Sequence, residues 1–167
     1  LSPHLSGLHQ GFDRVSSHAR LAYADALLRA ERWAPARREL ELLDAFSPEG
    51  AELEIRLLLG EGALSAAEER ATEILASGEG LVGVRYQRAR ARSLSGDREG
   101  TLRDLEMVLS RDPRHGAAAY GRARVLEELG RDARDAWSEA VRILELSGGE
   151  QEWLDEARAR AERDTGS

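Results

Sequence analysis

The chain has 167 residues, of which 41% are hydrophobic and 33% are charged, a composition typical of one globular domain rather than of a disordered segment. A formal net charge of −7 at pH 7 argues against general binding of nucleic acid, because contacts to phosphates need a basic surface. The lack of cysteine excludes disulfides and thiolate metal sites, and no apolar run approaches the ~20 residues of a membrane span.

Residues 1–16 precede the first clear helical pattern and form an N-terminal segment. Leu5, Leu8, Phe12 and Val15 follow a three-four-three spacing, which places them on one face of a helix. A helix within this segment is therefore one interpretation.

Residues 17–50 and 51–81 are each predicted to form a helix, a tight turn and a second helix. Ser47-Pro48 ends the second helix of the first unit, because the residue before a proline leaves the α region. In the second unit a short helix from Glu52 to Leu59 precedes Ser65-Ala66-Ala67-Glu68, a capping-box pattern that opens a helix.

Residues 82–115 and 116–148 are two copies of the same unit. Tyr86-Gln87-Arg88-Ala89-Arg90 recurs 34 residues later as Tyr120-Gly121-Arg122-Ala123-Arg124. Self-similarity at a fixed period of this size is the signature of a repeat architecture. Such short helix pairs cannot bury their apolar faces alone, so they stack on their neighbours.

Residues 149–164 are predicted to be a C-terminal capping helix. Trp153, Leu154, Ala157 and Ala161 lie at helical spacing, and the positions between them are mostly charged. This pattern suits a helix that covers the end of a stack with one face and meets solvent with the other.

The spacing resembles the tetratricopeptide repeat, a helix-turn-helix of 34 residues with small residues where its two helices cross. The matching positions are Ala24, Trp33, Ala36, Leu40 and Pro48, then Ala67 and Ala71, then Ala89, Gly96, Leu105 and Pro113, and finally Ala123, Gly130 and Ala136. Arg92 departs from the pattern, since the family usually has an apolar residue there. The resemblance implies an all-α fold, a right-handed α-solenoid of about four repeats over residues 17–148, capped by the C-terminal helix in a single domain.

Four aromatic residues are interpreted as packing residues. Tyr23, Trp33 and Trp137 lie at turn and inter-helix positions of the repeats, whereas Trp153 lies in the capping helix. For Trp153 an exposed contact face for another domain or for a second copy of the chain is the alternative.

The sequence predicts no catalytic residues, no metal site and no cofactor. His4, His9, His18 and His115 form no HExxH-like helical pair, and there is no cysteine to complete a ligand set. No G-x-S-x-G elbow is present, and no strand is predicted to carry one. Enzyme activity is therefore not expected.

The resemblance implies that the first helix of each unit lines a concave groove, with side chains at positions 5 and 9 projecting into it. Position 5 is occupied by Leu21, Glu52, Tyr86 and Tyr120, and position 9 by Asp25, Arg56, Arg90 and Arg124. Three arginines and two tyrosines would then line the groove of an acidic protein. Both residue types are enriched at binding hot spots.

An acidic or C-terminal peptide segment bound across Arg56, Arg90 and Arg124 is the functional hypothesis, because the guanidinium group suits bidentate recognition of carboxylates. The pattern is similar in part to the carboxylate clamp of co-chaperone repeats, but the lysine and asparagine of that clamp are missing. In the alternative, the arginines pair with glutamates such as Glu52, Glu127 and Glu128 and close the groove.

The leading prediction is a non-catalytic scaffold that binds another protein or peptide. The alternatives are a self-association module that dimerises through its terminal helices, and a regulatory domain of a larger multidomain protein. A cytoplasmic location is favoured, with a periplasmic one left open because the numbering begins at Leu1 rather than at a methionine.

Overall fold

The computed structural model describes residues 17–43, 47–78 and 81–163, and all regular structure in these ranges is α-helical. The all-α prediction is confirmed. The helices are α1 (residues 17–29), α2 (Trp33–Glu41), α3 (Pro48–Gly60), α4 (Leu64–Ser77), α5 (Val82–Ser95), α6 (Arg98–Arg111), α7 (Gly116–Glu128), α8 (Arg134–Ser147) and α9 (Gln151–Arg163). Within the same ranges, no helix combines the length and the apolar character that a membrane crossing requires.

The core runs along the stack instead of forming one central cluster. Among the described residues, one buried cluster joins α1, α2 and α3, a second joins α3, α4 and α5, and a third extends from α5 to α9. α3 contacts both α4 and α5, so the first helices of the second and third units lie side by side. This nearest-neighbour packing is what a solenoid requires.

Small residues stand where the helices approach most closely. Ala24, Ala89, Ala123 and Ala157 occupy the same position on α1, α5, α7 and α9, and each is at most 1% exposed. In α3 this position is taken by Ile55, which is fully buried. A larger side chain at the alanine positions would overpack the crossing by about 1–3 kcal/mol.

Local capping defines several helix starts. The Ser47 Oγ accepts a hydrogen bond from the Gly50 N–H at 2.9 Å, and Pro48 follows at the first position of α3. The Asp97 carboxylate accepts from the Gly100 N–H at 2.8 Å and caps α6 in the same way. These bonds satisfy amide groups that have no partner inside the helix.

Several details differ from the sequence-based expectation. α3 begins at Pro48 and has 13 residues, so it is not short and starts before the predicted unit boundary at residue 50. The prediction that a capping box at Ser65 opens α4 is wrong. α4 already begins at Leu64, and Ala63 at its N-cap supplies no side-chain hydrogen bond. Tyr23 is 54% exposed, so its interpretation as a packing residue is also wrong. The predicted stripe from Leu5 to Val15 lies outside the described residues.

α5 and α6 are joined by a buried cluster of charges. Asp104 is 2% exposed, and its carboxylate accepts hydrogen bonds from Arg88 at 2.7 and 2.9 Å and from Arg92 at 2.9 Å. Arg85 approaches the same carboxylate at 3.5 Å, and Arg92 also donates to Glu68 of α4 at 2.8 Å. The cluster explains how Arg92 is accommodated where the repeat pattern has an apolar residue.

α9 continues the register of the repeats. Ala157 follows Ala123 by 34 residues and is fully buried, so α9 takes the place of the first helix of a further unit. Its exposed positions within the described range include Glu152, Asp155 and Arg158, which are polar. The end of the stack therefore meets solvent with a charged surface.

Candidate functional site

A cleft of about 190 Å³ lies between α5 and α7, with residues of α6 and α9 completing its lining. Four of the predicted groove residues line it: Tyr86, Arg90, Tyr120 and Arg124. The rest of the lining is Ala89, Ser93, Thr101, Leu105, Ala117, Gly121, Val125, Glu128 and Trp153. The repeat register brings the equivalent tyrosines and arginines of two consecutive units to one surface.

Arg90 is an exposed cation that has no carboxylate partner among the described residues. Its Nη1 donates a hydrogen bond to Gln87 Oε1 at 2.9 Å, and no ion pair joins it to any residue in the described part of the chain. Its charge also acts on Tyr86: burial raises the pKa of the Tyr86 hydroxyl, and the positive charge of Arg90 partly opposes that rise. The guanidinium keeps most of its donors available to a ligand.

Arg124 is held only weakly by its neighbours. Its guanidinium carbon lies 5.9 Å from the centre of the Tyr120 ring, and its Nη2 is 3.7 Å from the Glu128 carboxylate one helical turn away. Its side chain is 53% exposed, and exposed pairs of this spacing contribute only a few tenths of a kcal/mol. A ligand carboxylate can therefore compete with Glu128 for Arg124.

Tyr120 is the fixed centre of the aromatic wall. Its ring stacks on Trp153 at 5.2 Å with an angle of 10° and meets the edge of Trp137 at 5.6 Å. Its hydroxyl donates to a carboxylate oxygen of Glu156. Burial, together with the hydrogen bond to Glu156 and that residue's charge, raises the pKa of Tyr120 to about 12. The phenol therefore stays neutral at physiological pH, and its ring contacts both tryptophans.

Tyr86 forms the opposite part of the wall. Its ring centre lies 4.6 Å from that of His115, whose Nδ1 accepts a hydrogen bond from the Ala118 N–H and caps α7. The residue that caps α7 thus packs against the Tyr86 ring.

The other four predicted groove residues do not line this cleft. Arg56 donates to Asp25 at 2.6 Å, and Arg29 binds the same carboxylate at 2.9 Å. Burial alone would raise the pKa of Asp25, but the hydrogen bonds from Arg56 and Arg29 outweigh it and hold the pKa below its usual value. Arg56 is therefore engaged within the protein.

Leu21 and Glu52 also serve the fold at this end. Leu21 packs on the cluster that joins α1, α2 and α3, and Glu52 accepts a hydrogen bond from Gln87 Nε2 at 3.2 Å. The predicted series of side chains is therefore divided in the structure. Its first half consists of internal contacts, and its second half lines the cleft.

The pairing alternative describes Arg56 with a different partner and Arg124 with one of the predicted partners. Arg56 pairs with Asp25 instead of Glu52, and Arg124 has its loose contact with Glu128. Glu127 pairs with Arg160 of α9. Whether Arg90 and Arg124 bind a ligand stays a prediction.

Trp153 and Gln87 are site residues that the sequence interpretation did not place here. The offset of 34 residues from Ala123 to Ala157 was the available signal for Trp153, because it puts α9 in register with α7. Gln87 carried no such signal, since the equivalent position in the next unit is Gly121. In the described ranges, no three His, Cys, Asp or Glu side chains converge to hold a metal ion.

Comparison with solved structures defines the class of fold. A point mutant of the protein MamA is similar over 92% of this chain and 90% of its own, with a TM-score of 0.66 and 19% identity. The AMB-1 form of MamA has a TM-score of 0.61 at 18% identity, over 89% of this chain and 98% of its own. A tetratricopeptide repeat protein from Parabacteroides merdae has a TM-score of 0.63 at 18% identity, over 89% of this chain and 63% of its own.

These likenesses show the fold, and they confirm the tetratricopeptide-type helical solenoid that the repeat pattern predicted. No protein-family model matches the sequence, and the search of curated proteins gives no match.

Proposed function

We propose that this chain is a non-catalytic binding scaffold whose cleft between α5 and α7 takes an acidic segment of a partner protein or peptide. The observation that carries the proposal is Arg90, an exposed guanidinium at an aromatic cleft with no carboxylate partner among the described residues. A charge left without an internal partner at a concave surface is suited to an external one.

The cleft also favours an apolar side chain in the bound segment. Buried apolar side chains line it, among them Ala89, Leu105 and Val125, and the rings of Tyr86 and Tyr120 flank it. Its volume of about 190 Å³ exceeds the ~150 Å³ in which an engineered apolar cavity holds benzene. We therefore expect one leucine- or phenylalanine-sized side chain to enter while neighbouring carboxylates approach Arg90 and Arg124.

The proposed ligand contacts two of the four units instead of spanning all of them. Arg56 already binds Asp25 at 2.6 Å, so a ligand carboxylate would have to compete with a partly buried ion pair inside the protein. The ligand is therefore assigned to the third and fourth units.

Self-association through the C-terminal helix is less well supported. The outward positions of α9 are mostly polar, as Glu152, Asp155 and Arg158 illustrate, whereas stacking interfaces are built around an apolar core. A role as one domain of a longer protein is compatible with the proposed site, because the cleft would work in the same way there.

The test is a binding titration by fluorescence anisotropy. The probes are short labelled peptides with one leucine flanked by glutamates, a matched peptide with glutamines in place of the glutamates, and a third with lysines. We expect the acidic peptide to bind best, and Arg90→Ala to weaken it about tenfold.

Arg103→Ala is the matched control, because Arg103 is an exposed arginine of α6 outside the cleft. It should change the affinity less than about twofold. Equal binding of the acidic and glutamine peptides, or an Arg90→Ala variant that binds as the wild type does, would exclude the proposed site.

A further inference from the structure

We infer that Gln87 is a positioning residue for Arg90, and that its neutral amide keeps the cleft positively charged. This inference rests on the proposed function. Gln87 is 4% exposed and lies on α5 between Glu52 of the preceding unit and Arg90. Its Nε2 donates to Glu52 Oε1 at 3.2 Å, and its Oε1 accepts from Arg90 Nη1 at 2.9 Å.

The chemistry of the two partners fixes which way the amide points. The Glu52 carboxylate only accepts hydrogen bonds and the Arg90 guanidinium only donates them. The Gln87 nitrogen must therefore face Glu52 and its oxygen must face Arg90. The result is a directed chain of two hydrogen bonds that crosses from one repeat to the next and ends at the cleft.

A neutral acceptor at this place orients the guanidinium without neutralising it. Arg88 and Arg92 lie two residues before and two residues after Arg90 on α5, and both form ion pairs with the Asp104 carboxylate. Arg90 donates instead to the amide oxygen of Gln87, and the Glu52 carboxylate lies on the other side of that amide. A carboxylate at position 87 would form an ion pair one helical turn from Arg90 and compete with an acidic ligand.

The decisive variant exchanges the two groups: Glu52→Gln combined with Gln87→Glu. The exchange leaves the composition and the net charge unchanged, and an amide at position 52 can still donate to a carboxylate at position 87. Only the location of the negative charge moves, from the far side of the chain of hydrogen bonds to the side facing Arg90.

We expect the exchange variant to bind the acidic leucine peptide about tenfold more weakly, close to Arg90→Ala, and with a smaller dependence on salt. Its binding of the glutamine peptide and its melting temperature should match those of the wild type. In an Arg90→Ala background the exchange should have no further effect, since the two changes act through one group.

Gln87→Met is the second variant, because it keeps the length of the side chain without either hydrogen bond. It should lower the affinity about threefold through lost orientation, with the salt dependence of the wild type. This measurement decides the inference if the exchange variant does not fold.

The outcomes separate the two proposals. If Arg90→Ala weakens binding but the exchange variant and Gln87→Met bind as the wild type does, Gln87 is only a structural partner of Glu52 and this inference fails alone. If Arg90→Ala has no effect on binding, the proposed function fails and this inference fails with it.

Discussion

The arginines of α5 lie in two contrasting environments. Arg85, Arg88 and Arg92 are spaced three and four residues apart, so they share one face of the helix and converge on Asp104 of α6. Arg90 lies on the other side, follows Tyr86 by one turn and is exposed at the cleft. Four copies of one residue type within eight positions thus divide into a structural set and a candidate binding residue.

The difference is decided by the available carboxylates and not by the arginines themselves. On the inner face of α5, which carries Arg88 and Arg92 and packs on α6, Asp104 and Glu68 neutralise positive charges that would be costly to bury alone. On the face at the cleft, Arg90 donates to the amide oxygen of Gln87, and its positive charge is exposed to solvent. An arginine-rich helix can therefore stabilise the stack with one face and present a cation with the other.

The largest effect is expected at the inner face. Asp104→Ala would leave Arg88 and Arg92 partly buried without the carboxylate that binds both of them. Breaking a buried network from one side costs about 3–5 kcal/mol, so the free energy of unfolding should fall by that amount. Urea denaturation followed by circular dichroism measures it.

Glu106→Ala is the control for this variant, because Glu106 is an exposed carboxylate on the same helix. It should stay within about 0.5 kcal/mol of the wild type. A loss from Asp104→Ala no larger than that of the control would mean that the charge cluster contributes little to the stack.

Repeat periodicity predicted the fold well because it rests on local sequence. The alanines at Ala89 and Ala123 specify close helix crossings, and their spacing of 34 residues specifies the stack. The helix starts were less predictable. The prediction that Ser47-Pro48 ends the second helix is wrong, because α2 already ends at Glu41 and these two residues begin α3. Ser65 has the residue type of a cap without occupying the cap position.

The candidate site was predictable only in part, since sequence offsets show which side chains are equivalent but not which ones meet. Asp25 and Arg56 are equivalent to Arg90 and Arg124, yet their opposite charges bring them together at 2.6 Å. The opposite signs were legible in the sequence. The contact of Gln87 with Glu52 was not legible, because it depends on two side chains 35 residues apart that meet only in the folded chain.

An intermediate effect is expected at the first junction of the stack, where Asp25 binds Arg56. The pKa of Asp25 is lowered in the folded state, so its ionised form stabilises the fold. Asp25→Asn should cost about 1 kcal/mol at neutral pH. The wild-type advantage should be full above about pH 5 and should disappear as the pH falls through the lowered pKa, below about pH 4.

Urea denaturation of both proteins across this pH range measures the advantage. A difference between wild type and Asp25→Asn that persists unchanged at pH ~3 would assign the loss to packing instead of charge.

The smallest effect on stability is expected at the cleft itself. Arg90→Ala removes one hydrogen bond from an exposed side chain, so the free energy of unfolding should change by no more than about 0.5 kcal/mol. The same urea denaturation checks this, with Arg103→Ala as the reference for an exposed arginine. A loss as large as that of Asp25→Asn would place Arg90 with the structural arginines and remove the contrast between the two faces of α5. A near-neutral result, joined to the expected tenfold loss of peptide affinity, would mean that Arg90 contributes to binding and not to folding.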